Sequence, residues 1–212
     1  MKTFRWIMMT LLLGVLGLQS VMAQVIGSNI VVTVTPDHQD WNYRVGEKAH
    51  FVVNVRKSGT LLDNVVWAWS PNLSDNKTIE AFMERYPGDD YVNLMGVDIY
   101  EFDDNDTNYQ TNLKETLDIL VQAARQQGKL AALTETGCRG ISKKRDWFTK
   151  TLFPVLQSYP LSYVLFWRNA WDKPQEEAYL PGINDGEIVK DFQKLKAEKK
   201  ILFANDVKKV KK

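Results

Sequence analysis

The chain has 212 residues, enough for one ordinary domain or two small ones, and its 27 basic and 26 acidic side chains nearly cancel. That balance gives no field to attract nucleic acid or an anionic lipid surface. A single cysteine, Cys138, excludes an internal disulfide, and two histidines, His38 and His50, make no metal cluster, so neither a metal nor a redox cofactor is implied.

Residues 1 to 23 begin with Lys2 and Arg5, run through an apolar stretch at residues 11 to 18, and close on Val21, Met22 and Ala23. This is the pattern of a secretory signal peptide cut before Gln24. The polar pair Gln19 and Ser20 interrupts the run short of a typical membrane span. Cleavage would leave a secreted or periplasmic chain without a membrane anchor, and losing Lys2 and Arg5 takes 27 basic residues to 25 against 26 acidic.

Residues 24 to 62 form the next segment. Runs of β-branched residues at 30 to 35 and 49 to 55, punctuated by Pro36, Asp37, Gly46 and Glu47, predict antiparallel strands. About three strands fit before Gly59, too few to close a sandwich. From residue 63 to 206 the grammar changes to strand followed by helix. Strands are predicted at 65 to 69, 91 to 97, 130 to 133 and 163 to 167. Helices are predicted at 77 to 86, across Leu113, Leu117, Leu120, Val121 and Ala124 to a stop at Gly128, at 147 to 157 with Pro154 in its later half, and around 188 to 195. Four such units predict an α/β fold with a parallel sheet, half of a closed (β/α)8 barrel, with the strands at 65 to 69 and 163 to 167 as open edges. Residues 207 to 212 read as a short basic, solvated tail.

The run from Lys129 to Gly137 reads as a buried strand that delivers one carboxylate, Glu135, between Thr134 and Thr136, at the end of the sheet where barrel enzymes keep their chemistry. Aromatic residues flank it in sequence. Trp67 and Trp69 share a strand face, with core packing the better reading for Trp67. Trp167, Trp171 and Tyr179 lie at or after the last strand, where stacking on a sugar and simple lid packing are both open. Tyr86, Tyr91 and Trp147 read as structural. A carboxylate among aromatic platforms points to sugar chemistry.

Several pieces together carry a resemblance: Trp69-Ser70-Pro71-Asn72, the stretch from Tyr86 to Val92, Gly96-Val97-Asp98-Ile99-Tyr100, Thr134-Glu135-Thr136-Gly137, Trp167-Arg168-Asn169 and Leu202-Phe203. Residues from about 65 to 206 resemble the C-terminal half of a glycoside hydrolase family 26 catalytic domain, that of retaining β-mannanases, with barrel strands five to eight. The resemblance implies that Glu135 is the nucleophile, that Asp98 and Tyr100 stand at the neighbouring strand end with Tyr100 steadying Glu135, that Trp167 underlies the sugar at the cleavage point, and that Arg168 reaches hydroxyls beyond it. Trp69 and Trp171 are further candidates for substrate contact. The implied partner is β-mannan or a related plant polysaccharide. Residues of about 29 to 64, notably Asp40-Trp41-Asn42-Tyr43 and Gly46-Glu47-Lys48-Ala49, resemble the opening of an immunoglobulin-like domain found ahead of secreted carbohydrate esterases of Bacteroidetes.

The family also uses a His-Glu pair at its fourth strand, whose glutamate is the acid/base, and no stretch here resembles it. Retaining hydrolysis needs two carboxyl groups about 5 to 5.5 Å apart. Asp98, Glu101, Asp103 and Asp104 are the candidates for the second. The expectation is a crippled glycosidase or a non-catalytic, weakly glycan-binding remnant. Its open sheet would expose apolar surface around Trp67, Leu133 and Phe166 and favour self-association.

Overall fold

The computed structural model describes the backbone of residues 22–24 and residues 29–72, 77–102, 108–170 and 177–210, the side chains of 208–210 excepted. Most of the expected signal peptide, Asp103, Asp104, Trp171 and the side chains of the basic tail lie outside the described residues. The chain divides into two compact units, Met1–Val65 and Val66–Lys212.

The first unit is an antiparallel sheet of β1 (Met22–Gln24), β2 (Ile30–Pro36), β3 (Phe51–Lys57) and β4 (Thr60–Leu61), hydrogen-bonded in chain order. The valine and threonine runs favour extended backbone, and Pro36, which cannot donate to a ladder, ends β2 opposite Phe51. β1 crosses the expected cleavage point between Ala23 and Gln24, pairing Ala23 with Val32. In the loop after β2, Asp37 Oδ1 accepts from the Tyr43 hydroxyl at 2.6 Å and from the His50 N–H at 3.3 Å.

The second unit is built on a four-stranded parallel sheet, β5 (Ala68–Trp69), β6 (Leu94–Glu101), β7 (Leu130–Cys138) and β8 (Val164–Phe166), also in chain order. Helices α1 (Ile79–Met83), α2 (Tyr109–Gln126), α3 (Phe153–Leu156), α4 (Glu187–Lys196) and α5 (Ala204–Val210) complete it. A short antiparallel segment followed by a parallel βα sheet is a partial (β/α)8-type arrangement, with β5 and β8 at its edges.

Alternation along the strands sorts the side chains to two faces. Met95 and Val97 of β6 and Ala131 and Leu133 of β7 point to the helices. They join one core with Leu113, Leu117, Leu120, Val121 and Ala124, the apolar stripe of α2. Each fully buried leucine contributes about 1.5 to 3 kcal/mol. Leu94, Gly96, Asp98 and Tyr100 alternate to the other, inner face.

Several boundaries differ from those read in the sequence. β6 starts later and runs further than predicted, and β7 continues through Gly137 to Cys138 because the partner strand is there to pair with it: Tyr100 stands opposite Gly137 and Glu101 opposite Cys138. α1 is only five residues long, capped by Thr78, whose Oγ1 accepts from the Ala81 N–H at 3.2 Å. The helix expected at 147 to 157 is a π-helix, Trp147–Leu152, leading into α3. Pro154 has no N–H to return to Lys150, and the Lys150 and Thr151 carbonyls accept instead from Gln110 Nε2 at 3.0 and 2.9 Å. Buried Asp191 of α4 caps its start, accepting from the Phe148 and Thr149 N–H groups at 2.8 and 3.2 Å. The exposed patch expected at Trp67, Leu133 and Phe166 is not there as such. Leu133 is fully buried and Phe166 packs edge-on to Phe148 at 5.6 Å, because both lie on the helix side, while Trp67 keeps 40% exposure.

Candidate functional site

The inner face of β6 and β7 brings together the polar side chains of the second unit. Tyr100 donates its hydroxyl proton to Glu135 Oε2 at 2.6 Å. Glu135 is half-buried, and among the described residues Tyr100 is the side chain that anchors it. Burial, and then the bond to Glu135, push the Tyr100 phenol well above its ordinary value, so it stays a proton donor throughout the neutral range. A carboxylate held by one oxygen in this way is oriented for attack or for proton exchange through the other.

Asp98 lies beside this pair, opposite Glu135 in the ladder. Its Oδ1 accepts from Ser70 Oγ at 2.9 Å and from Thr134 Oγ1 at 3.0 Å, and Ser70 and Thr134 also touch each other. An isolated bridge joins Asp98 to Asn72. Asp98 therefore ties β5, β6 and β7 together. Glu101, the next acid along β6, points the other way. It is 4% exposed and takes the Trp147 indole N–H at 2.6 Å and the Lys144 ammonium at 2.7 Å.

Tyr179 closes one side. It is 5% exposed, packs edge-on to Tyr100 at 5.5 Å, and lies so close to Gly137 that a Cβ there would sit 2.7 Å from its ring. Asn169 sets this arrangement, accepting from the Tyr179 and Leu180 N–H groups at 2.8 and 2.7 Å and donating to the Leu180 carbonyl at 2.9 Å. Phe102 stacks on Tyr100 at 5.5 Å with the Arg139 guanidinium 4.8 Å over its ring.

Trp167 follows β8, its N–H donating to the Thr136 carbonyl at 2.9 Å, and Arg168 lies exposed 5.9 Å from its ring. Of the residues singled out in the sequence, Glu135, Tyr100 and Asp98 are brought together on one face, and the backbone pairing ties Trp167 to the same end of β7. Trp69 is on the other side of the sheet, packed against Phe82 at 4.7 Å and Tyr86 at 5.2 Å. Core packing thus falls to Trp69 rather than Trp67. Ser70, Thr134 and Asn169 were not singled out as site residues. The signals were a glycine inside strand β6, at Gly96, which marks close approach, and a threonine directly before the acid. Among the described residues no three His, Cys, Asp or Glu side chains gather to hold a metal, and no described helix is long and apolar enough to cross a membrane.

Comparison with known proteins matches residues 33–182 to the sequence model of glycosyl hydrolase family 26. A GH26 β-mannanase from Bacteroides ovatus is 43% identical, with a TM-score of 0.62, over 68% of this chain and 40% of its own. An endo-β-1,4-mannanase from Cellulomonas fimi, solved as a double mutant, is 28% identical with a TM-score of 0.58, over 70% of this chain and 33% of its own. A mannan endo-1,4-β-mannosidase of Bifidobacterium adolescentis is 26% identical over 136 residues, 58% of this chain and 14% of that protein. The chain therefore spans well under half the length of these relatives.

The family match begins inside β2 and runs through most of residues 24 to 62 into the second unit, so that stretch is not an immunoglobulin-like domain placed ahead of a family 26 half. The misreading has a physical source. Valine-rich alternation with turn residues reports antiparallel pairing, a local property, and an antiparallel segment within a hydrolase carries the same pattern.

Proposed function

The chain belongs to glycosyl hydrolase family 26, and on that footing we propose that it carries the nucleophile of a retaining β-1,4-mannan hydrolase. Glu135 is the attacking carboxylate. Its free oxygen attacks the anomeric carbon as the glycosidic C–O bond breaks and the leaving sugar oxygen takes a proton from solvent; water then hydrolyses the glycosyl ester, freeing the carboxylate and returning a proton to solvent. Tyr100 holds the nucleophile from below its other oxygen, Trp167 forms the sugar platform, Arg168 reaches hydroxyls beyond the cleaved bond, and Trp171 adds substrate contact. The observation that carries the reading is the 2.6 Å bond from Tyr100 to Glu135.

The second carboxyl is the weak point. Asp98 is committed to Ser70 and Thr134, and Glu101 to Lys144 and Trp147. That commitment favours a second reading, a polypeptide that binds mannan and turns it over only at a trace, since losing a positioned proton-transfer group costs about 10²- to 10⁴-fold. Release of reducing ends from β-mannan tests the pair. A robust rate abolished by Glu135→Ala supports full hydrolysis. A trace rate with retained mannan binding in affinity electrophoresis supports the second reading, and neither rate nor binding refutes both.

The same proposal includes export by the segment 1–23, and pairing of the open edges β5 and β8 with a second copy. Amino-terminal sequencing of secreted protein beginning at Gln24 would support the first. Light scattering at the dimer mass would support the second.

A further inference from the structure

Strict alternation places Leu133 on the helix side of β7 and would carry position 135 to that side as well. Glu135 faces Tyr100 on the inner side instead. The register of β6 against β7 explains this: Val97 stands opposite Leu133 but Asp98 stands opposite Glu135, so Thr134 is one residue too many. β8 meets the same insertion, with Leu133 opposite Val164 and Thr136 opposite Phe166. Such a β-bulge re-aims the side chain beside it. Beyond it Thr136 is back on the helix side, 2.7 Å from the Tyr109 hydroxyl of α2.

The extra residue is held from β6 and from the segment after β5. Thr134 Oγ1 shares its one proton between the Val97 carbonyl at 2.8 Å and Asp98 Oδ1 at 3.0 Å, and it touches Ser70 Oγ of the segment after β5. Space for it comes from Gly96, where a Cβ would sit 2.6 Å from Thr134 Oγ1 and closer still to its methyl group. We propose that Thr134 is a positioning residue whose hydroxyl locks this bulge and so turns Glu135 to the inner face against Tyr100. Its consequence for the reaction rests on the assignment of Glu135 above, but the geometry is readable without any substrate.

The test uses the full chain with Thr134→Val, which keeps the shape and loses the hydroxyl, and Thr134→Ser, which keeps the hydroxyl. Tyrosine ring NMR follows ionisation of Tyr100, assigned with Tyr100→Phe, alongside Tyr86 and Tyr159, whose hydroxyls donate to Asp89 and Asp118 outside the bulge. In the parent chain Tyr100 ionises well above its ordinary 10.0. Thr134→Val should bring Tyr100 alone back toward that value, and Thr134→Ser should restore it. An unmoved Tyr100 in a folded Thr134→Val chain overturns the proposal. If Thr134→Val unfolds, all three tyrosines shift together and Ser70→Ala decides: Tyr100 falling alone supports the lock, and Tyr100 unchanged overturns it. Covalent labelling of Glu135 by an activated 2-fluoro-mannoside separates the two readings. It should slow on the order of 10²-fold in Thr134→Val, as misplacement by about 1 Å does. Absence of labelling in the parent chain, with the Tyr100 shift intact, refutes the nucleophile assignment and leaves the positioning standing.

Discussion

Glu101 offers the sharpest separation of structural from chemical carboxylates. Its side chain is 5% exposed and its ion-pair partner Lys144 19%, so the pair sits where water screens little. Breaking a buried pair by removing one member costs about 3 to 5 kcal/mol. The indole N–H of Trp147, a residue 2% exposed, would also lose its acceptor, a loss of about 1 to 3 kcal/mol when a donor is left unsatisfied. These overlap, and Glu101→Ala should lose about 4 kcal/mol in total, a fall in melting temperature of about 8 to 16 °C for a chain of this size. Glu101→Gln keeps an oxygen for Trp147 and should lose about half as much. Urea unfolding monitored by tryptophan fluorescence gives both numbers. A Glu101→Ala chain within about 1 kcal/mol of the parent would refute the buried-pair argument. A folded Glu101→Gln chain that no longer reacts at Glu135 would refute the structural role.

Gly96→Ala should destabilise by about 1 to 3 kcal/mol, because the new methyl meets a threonine already fixed to the Val97 carbonyl, and thermal melts would show it. Gly137→Ala should displace Tyr179 from Tyr100, seen as loss of near-ultraviolet circular dichroism, whereas an unchanged spectrum would mean the ring can slide away freely. Alkaline pH should also destabilise the fold. Tyr86 is pushed up to about 12, first by burial and then by its bond to Asp89, so above its ordinary value of 10.0 the unfolded chain releases its proton first. This contribution is therefore intact below about pH 10 and lost as pH rises toward about 12. Tyr86→Phe should flatten the loss between those values in denaturant titrations.

The strands and helices of the second unit were legible because burial imposes period: the stripe from Leu113 to Ala124 can only be one helix face, and the apolar run before Glu135 only a buried strand. Strand ends were not legible, since Asp98 to Glu101 and Glu135 to Cys138 stay in the ladder through mutual pairing that neither segment encodes alone. Pro154 was visible in a helical pattern, but the π-helix before it depends on Gln110, about forty positions away, taking up two carbonyls. The pairing of Tyr100 with Glu135 followed from the family resemblance. The bulge that produces it is a register effect, and register belongs to two strands at once. Trp69 reads as a candidate for substrate contact because period alone does not say which way a strand is turned; in the fold it packs on Phe82 and Tyr86, and Ser70 is the residue that meets Asp98.

In the proposed reaction Glu135 is the nucleophile, and among the described residues Asp98 and Glu101 are both held in bonds that keep them from protonating the leaving group. An activated 2,4-dinitrophenyl 2-fluoro-β-mannoside needs no acid to depart, so it tests attack alone. Incubation with the purified chain followed by peptide mass spectrometry should give one fluoromannosyl ester, on the peptide containing Glu135, and none with Glu135→Gln, while unactivated mannan is cleaved only at a trace. No ester, or an ester on another carboxylate that survives Glu135→Gln, would refute Glu135 as the nucleophile.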